Sequence, residues 1–388
     1  MQKQTCKLLT IFMLALLVGV SFAAENVRLL IPEKIYAVPG VEMNVYFNNV
    51  VTVINPANYV FDVDCEKGRN DLKRWRFMPQ KEDVGIWKWK IRVISENGVV
   101  AEGESELVVV PEDAGKGRTF SLLMIGASQT GAGHYPNRVA ELMQKPGNPE
   151  FISIGTRSRG LGRHEGYGGW RWDSFLTRWA VMGQSQNDGM HPDRPLGRNS
   201  PFIFEKDGKG MFDLNEYFKR NNGGKVPDAV SFQLGLNDFL RASDETLAEI
   251  TQKSIANMEK LIGEFRKLEP SPEIFVFQHI PGASQDGFGE NYACRQTSWQ
   301  YRKNLDFYNR ALLQKSKELK FNIVPVYINI DTVNNFPMMN EPVNQGNSAK
   351  ILRQSNGVHP TQAGYYQMGD TLYCRLKAWL AEKEQKNK

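Results

Sequence analysis

Between residues 27 and 110 the apolar positions alternate with polar ones or fall in short clusters, as in "EMNVYFNNVVTVI", "YVFDVDC", "IWKWKIRVI" and "ESELVVV". β-Branched and aromatic residues dominate these stretches and Pro, Gly and Asn separate them, so the pattern predicts several short strands and no helix. Strands at that spacing predict a small β-sandwich. From residue 119 the texture changes. Continuous apolar runs, "SLLMIG", "EFISIG", "AVSFQLG", "EIFVFQHI" and "FNIVPVYI", are interleaved with amphipathic stretches such as "ETLAEITQKSIANMEKLIGEFRKL" and "NLDFYNRALLQKSKEL". Apolar strands between amphipathic helices predict an α/β unit whose parallel sheet is covered on both faces. Ligands of such sheets bind at the carboxyl ends of the strands. The polar, breaker-rich "PEDAGKGR" lies between the two textures and marks the expected domain boundary.

The first residues add a third segment. "MQKQTCKLLTIFMLALLVGVSFAAEN" has a basic start, an apolar stretch over 8–20 and small residues at Ser21 and Ala23, the pattern of a secretory signal. The stretch is shorter than the roughly 20 apolar residues that a membrane anchor needs, and Cys6 precedes the apolar core, where it cannot serve as a lipid-anchor cysteine. The expected division is therefore a signal peptide over 1–23, an all-β domain over 24–112 and an α/β domain over 113–388. The expected location is secreted or periplasmic, with no membrane insertion once the signal is removed.

Composition changes this picture little. Of the 388 residues 23% are charged, and the net charge of +5 is spread along the chain, so no basic patch asks for nucleic acid. Beyond the leader three cysteines remain, Cys65, Cys294 and Cys374, which allow one bridge at most. Either Cys294 pairs with Cys374 within the α/β domain or all three are buried thiols. His134, His164, His191 and His279 lack paired metal-ligand spacing and no Cys-x-x-Cys occurs, so neither metal nor cofactor is expected.

The chemistry starts at "LLMIGASQTG", where a buried strand stops on Ser128. An α/β-hydrolase elbow would read Gly-x-Ser-x-Gly, but Thr130 stands at the last position. A strand-terminal Gly-x-Ser by itself is more often a turn or a cap than a nucleophile. Three further blocks add weight: "HEGYGGWRWDSF", "FQLGLNDF" with Gly235, Asn237 and Asp238, and "NGVHPTQAGYYQMGD" with His359. In this order along an α/β chain, the four blocks resemble those of the SGNH (GDSL-type) hydrolase superfamily over roughly residues 119–379. In the β region, "EDVGIWKWKIRV", with Asp83, Gly85 and Trp87, resembles a late-strand corner of immunoglobulin-like domains.

The hydrolase resemblance implies a flavodoxin-like three-layer fold and a serine esterase. Ser128 would be the nucleophile and His359 the base. The Ser128 and Gly169 backbone N–H groups and the Asn237 amide would form the oxyanion hole, Gly169 being preferred to Gly168. Two positions depart from the family. Gly-Asp-Ser is Gly-Ala-Ser, and the acid expected three residues before the histidine is Asn356. Asn356 is expected to orient the imidazole through its carbonyl oxygen, to be a bystander in a Ser-His dyad whose ring is oriented by a backbone carbonyl or by a carboxylate such as Glu165 or Asp286, or to mark lost activity. Gln129, Glu165, Tyr167 and Trp170 are the expected substrate contacts, since aromatic faces pack well on sugar rings. His164 is expected either beside that pocket or on an exposed loop.

The resulting expectation is an exported serine esterase that removes acyl groups, most readily O-acetyl, from a polymeric carbohydrate. A lipid esterase, an arylesterase or a thioesterase of the same fold is the alternative among enzymes, and a non-catalytic carbohydrate-binding protein is the alternative outside them.

Overall fold

The computed structural model describes residues 27–180, 199–292 and 295–386. The expected signal peptide, His191 and Cys294 lie outside the described residues. Among the described residues no helix is long and apolar enough to cross a membrane.

The N-terminal region is built on β-sheets, as its alternation predicts, but the expectation of no helix fails at Phe47–Val50, where one helical turn interrupts the stretch read as continuous strand. One sheet has the order Lys34–Ala37, Gly98–Val109, Gly85–Ser95, Val60–Asp64, and a second has the order Met43–Tyr46, Arg74–Phe77, Arg69–Asn70. Alternate residues of the long strands turn inward, so Ile35, Val45, Trp75, Trp89, Ile91 and Leu107 are buried together. Trp75 and Trp89 meet edge to face at 6.1 Å, a geometry that suits the ring quadrupoles.

The α/β region is built on five parallel positions. Thr119–Gly126 lies between Glu150–Ile154 on one side and Ala229–Gln233 on the other, followed by Glu273–Phe277 and Asn322–Val324. Gly162–Gly166 continues the outer position by pairing with Ile125 and Gly126 at the upper end of the first strand. Numbered along the chain the order is 2-1-3-4-5, the flavodoxin-like arrangement, with the switch in direction at the first strand. Leu123 and Ile125 face the helices Leu247–Arg266 and Ser298–Leu319, whereas Leu122 and Met124 face His134–Met143 and the C-terminal helix Gln362–Lys386. These are the three layers that the pattern predicted.

Helix Ser298–Leu319 shows how the sequence sets an element. Thr297 caps it by accepting the Gln300 N–H at 3.0 Å, and its buried Tyr301, Leu305, Tyr308 and Leu312 recur at helical spacing. The C-terminal helix differs: ten consecutive residues, Thr371 to Leu380, are buried. A helix covered on all sides needs a second layer behind it, and the β region supplies that layer.

One apolar core runs from Leu30, ahead of strand Lys34–Ala37, to Leu380 of the last helix. Polar contacts reinforce it: the Asn49 side-chain amide donates to Tyr327 O and to Ile330 O, both at 2.8 Å, and Asn44 N donates to Asn329 Oδ1 at 2.9 Å. Even residues 111–118, read as a boundary, are tied to the C-terminal helix. Gly115 N donates to Glu384 Oε1 at 2.7 Å and Lys377 Nζ to Ala114 O. Within this covered helix Cys374 is a free buried thiol, as is the half-buried Cys65, and burial pushes the Cys374 pKa up.

Candidate active site

The first strand of the sheet ends at Gly126, where a side chain would collide with Thr130 Oγ1 and Gln233 O. Ala127 then turns the chain while its N–H donates to Gln233 O at 3.2 Å, and Ser128 opens a one-turn helix to Gly131. Gly131 can approach because it faces Gly166, and a Cβ on either residue would press on the other's backbone. Ser128 is thereby held, half-buried, at the carboxyl edge of the sheet and at its topological switch point.

Two antiparallel strands, Met338–Asn344 and Asn347–Gln354, lead into the loop that carries His359, and the C-terminal helix follows it. His359 Nε2 lies 2.8 Å from Ser128 Oγ. A hydroxyl and an imidazole in hydrogen-bond contact is the arrangement that acyl transfer requires of a nucleophile and its base. Burial lowers the His359 pKa below the ordinary imidazole value, and no carboxylate offsets it. The ring is therefore neutral, and able to take a proton, at pH 7.

Asn356 does not orient that ring through its oxygen. Its Oδ1 accepts the Val358 N–H at 3.1 Å and the His359 N–H at 2.9 Å. Both lone pairs are thus spent on backbone, and the remaining NH₂ cannot accept a hydrogen from Nδ1. Asn356 shapes the loop. The alternative orienters fare no better: Glu165 is bonded elsewhere and Asp286 lies exposed on helix Gln285–Tyr292. Among the described residues Nδ1 has no hydrogen-bond partner.

Among the described residues three expected N–H donors remain uncommitted. The Ser128 N–H starts a helix and has no acceptor within it. Gly169, at φ +77°, occupies the third position of a turn closed by Trp170 N donating to Tyr167 O at 3.3 Å. That is the type II position, which demands positive φ; an added Cβ would meet no neighbour, so backbone conformation is what calls for glycine. Asn237 sits on the one-turn helix Leu236–Phe239, where Nδ2 donates one hydrogen to Trp170 O at 2.9 Å and keeps the other. This bond ties the Asn237 and Gly169 segments together.

The four expected substrate contacts are interior residues instead, between 0 and 4% exposed. Glu165 receives four hydrogen bonds: Thr156 N and Tyr217 Oη at one oxygen, at 2.6 and 2.7 Å, and Thr156 Oγ1 and Tyr167 Oη at the other, at 2.8 and 2.6 Å. Burial raises its pKa, with those bonds opposing. Tyr167 stacks on Trp170 at 4.2 Å and both pack on Phe175. Large aromatics in this segment are used for the core, the commoner role. Gln129 is also buried, its Nε2 donating to Val358 O at 2.8 Å. His164 is interior too, and burial pushes its pKa down to about 4.

Other polar groups at the strand ends escaped the sequence reading. Gln233 is buried beside Gln129, and His279 is buried beside Gln233. The available signal was a Phe-Gln pair closing two apolar strands, "SFQ" and "VFQH", because an amide ending a buried strand must find partners. Asp238, next to Asn237, has a carboxyl pushed up to about 7 by burial, against the pull of Arg171, and its Oδ2 lacks a hydrogen-bond partner among the described residues.

No curated protein matches the chain. Among solved structures, that of a carbohydrate acetylesterase family member from Sinorhizobium meliloti is 14% identical, with 67% of this chain and 99% of that chain covered at a TM-score of 0.39. A family 3 carbohydrate esterase from Clostridium thermocellum is 17% identical, with 68% and 100% covered at a TM-score of 0.38. The family model of GDSL-like lipases/acylhydrolases matches residues 122–372. That match runs from the strand before Ser128 into the helix after His359, and the chain belongs to this family of carboxylic ester hydrolases.

Proposed function

We propose that the protein is an exported serine esterase that uses Ser128 and His359 to remove O-acetyl or similarly small acyl groups from carbohydrate. The observation that carries the mechanism is the 2.8 Å contact between Ser128 Oγ and His359 Nε2. In this reading His359 takes the hydroxyl proton as Oγ attacks the ester carbonyl carbon. The oxyanion is met by the N–H groups of Ser128 and Gly169 and the free hydrogen of Asn237 Nδ2. Collapse of the tetrahedral adduct breaks the ester C–O bond, and His359 returns the proton to the departing alcohol. Water, deprotonated in its turn by His359, then releases the acid and restores Ser128.

The carbohydrate half of the proposal rests on the leader pattern at residues 1–23, because acylated polysaccharides are ester substrates that an exported hydrolase meets. Tyr167 and Trp170, being interior, lend it no support. The test is acetate release from a panel of acetylated polysaccharides beside 4-nitrophenyl acetate, long-chain acyl esters and thioesters, with Ser128→Ala and Asn237→Ala as variants. Ser128→Ala should be inactive, and Asn237→Ala should lose about 10²–10³ in kcat with KM nearly unchanged. Full activity in Ser128→Ala overturns the mechanism; preference for long acyl chains overturns the substrate.

A further inference from the structure

We infer that a buried chain of hydrogen bonds through Gln129, Gln233 and His279 positions His359 against Ser128, in place of the acid that the loop lacks. The inference rests on the Ser-His reading above and goes beyond it by assigning three positioning residues.

The chain has a readable direction. His279 Nε2 lies 3.0 Å from Leu234 O, which can only accept, so Nε2 carries the ring proton. In a neutral ring Nδ1 is then an acceptor, and Gln233 Nε2 approaches it at 3.4 Å, the longest link. Burial pushes the His279 pKa down to about 4, which keeps the ring neutral at pH 7. The second hydrogen of the Gln233 amide goes to Gln129 Oε1 at 2.7 Å. With its oxygen so engaged, Gln129 turns its own NH₂ to Val358 O at 2.8 Å. Every amide orientation follows from the two terminal carbonyls.

The nodes fall beside each part of the site. Gln129 directly follows Ser128, Val358 directly precedes His359, and Leu234 lies three residues before Asn237. Asn356 holds the N–H groups of Val358 and His359 from the other side, so the peptide entering His359 is fixed at both its carbonyl and its N–H ends. This restricts where the imidazole can swing without touching the ring.

A purely structural role explains the chain poorly. Among the described residues Gln233 Oε1 is buried with no hydrogen-bond partner, and an orphaned acceptor costs stability. A feature that costs stability at an active site is the expected sign of a positioning role.

The experiment compares full-length Gln129→Met, Gln233→Met, His279→Phe and His279→Gln with the parent protein and Ser128→Ala. The readouts are kcat and KM on 4-nitrophenyl acetate, the rate of Ser128 labelling by a phosphonate, and Tm. The two methionine variants should lose about 10-fold or more in kcat and in labelling rate with KM within about 2-fold. Gln233→Met relieves the unpaired Oε1 but strands Gln129 Oε1 and His279 Nδ1, so its kcat loss is to be compared with its own change in Tm. His279→Gln, which keeps an N–H for Leu234 and an oxygen for Gln233, should stay within about 3-fold of the parent while His279→Phe does not. Undiminished kcat in both methionine variants, or losses of kcat that merely track losses of Tm, overturn the inference. If the parent and Ser128→Ala are equally inactive, the Ser-His reading fails and takes the chain with it. An active parent, an inactive Ser128→Ala and unimpaired methionine variants remove the chain alone.

Discussion

Asn356 Oδ1 accepts the backbone N–H of His359 at 2.9 Å, so the residue at the acid position of the loop grips the base by its main chain. Asn356→Ala releases both that N–H and the Val358 N–H and should lower kcat about 10-fold through loosened geometry. Asn356→Asp keeps an acceptor for both and adds a negative charge near the ring.

That charge has a definite effect on pH dependence. Burial holds the His359 pKa below 6.5, so in the parent kcat/KM should fall only as pH drops below that value. A nearby carboxylate favours the imidazolium and raises the pKa, so Asn356→Asp should move the acid limb upward by about 0.5 in pH or more. The pH profiles of the two proteins are the measurement. An acid limb above pH 6.5 in the parent, or an unmoved limb in the variant, contradicts the assignment of His359 as a buried base without a carboxylate partner.

Glu165 is a core residue by its contacts, and its substitution should act on stability. Glu165→Ala strands the hydroxyls of Tyr167 and Tyr217 and both donors of Thr156. The expected loss is about 3 kcal/mol or more in urea unfolding, with KM of the folded fraction unchanged. Intact stability together with a raised KM would return Glu165 to the substrate pocket.

The β region and the α/β region should unfold together. Their common core and the paired Asn49 bonds to Tyr327 O and Ile330 O leave no surface along which they could part cheaply. Calorimetry should show one transition, coincident with the tryptophan fluorescence and the far-ultraviolet dichroism. Asn49→Ala should lower its midpoint by leaving two buried carbonyls without their donor, about 1–3 kcal/mol. Two separated transitions would mean that the β region is an independent module.

Much of this protein could be read from its residues alone because the deciding interactions are local or periodic. Alternation over residues 27–110 specifies strands, apolar runs between amphipathic stretches specify a covered parallel sheet, and a strand that stops at Gly126 must turn at its carboxyl end, where Ser128 stands. Motif order likewise picked out His359, 231 residues away, as its partner. What the side chains beside them do depends on contacts distant in sequence. Glu165 and Tyr167 look like pocket residues until Tyr217 and Thr156 are seen to close around the carboxylate. Asn356 carries the same amide whether its oxygen meets a ring or a backbone, and only the curvature of the loop decides. Gln129, Gln233 and His279 belong to three different strand ends, and their hydrogen bonds exist because the sheet order 2-1-3-4-5 brings those ends together. The unbroken burial of the last helix, likewise, has its cause in a β region more than 250 residues earlier, since a helix can be buried on every side only when something else in the fold covers the side that the sheet does not.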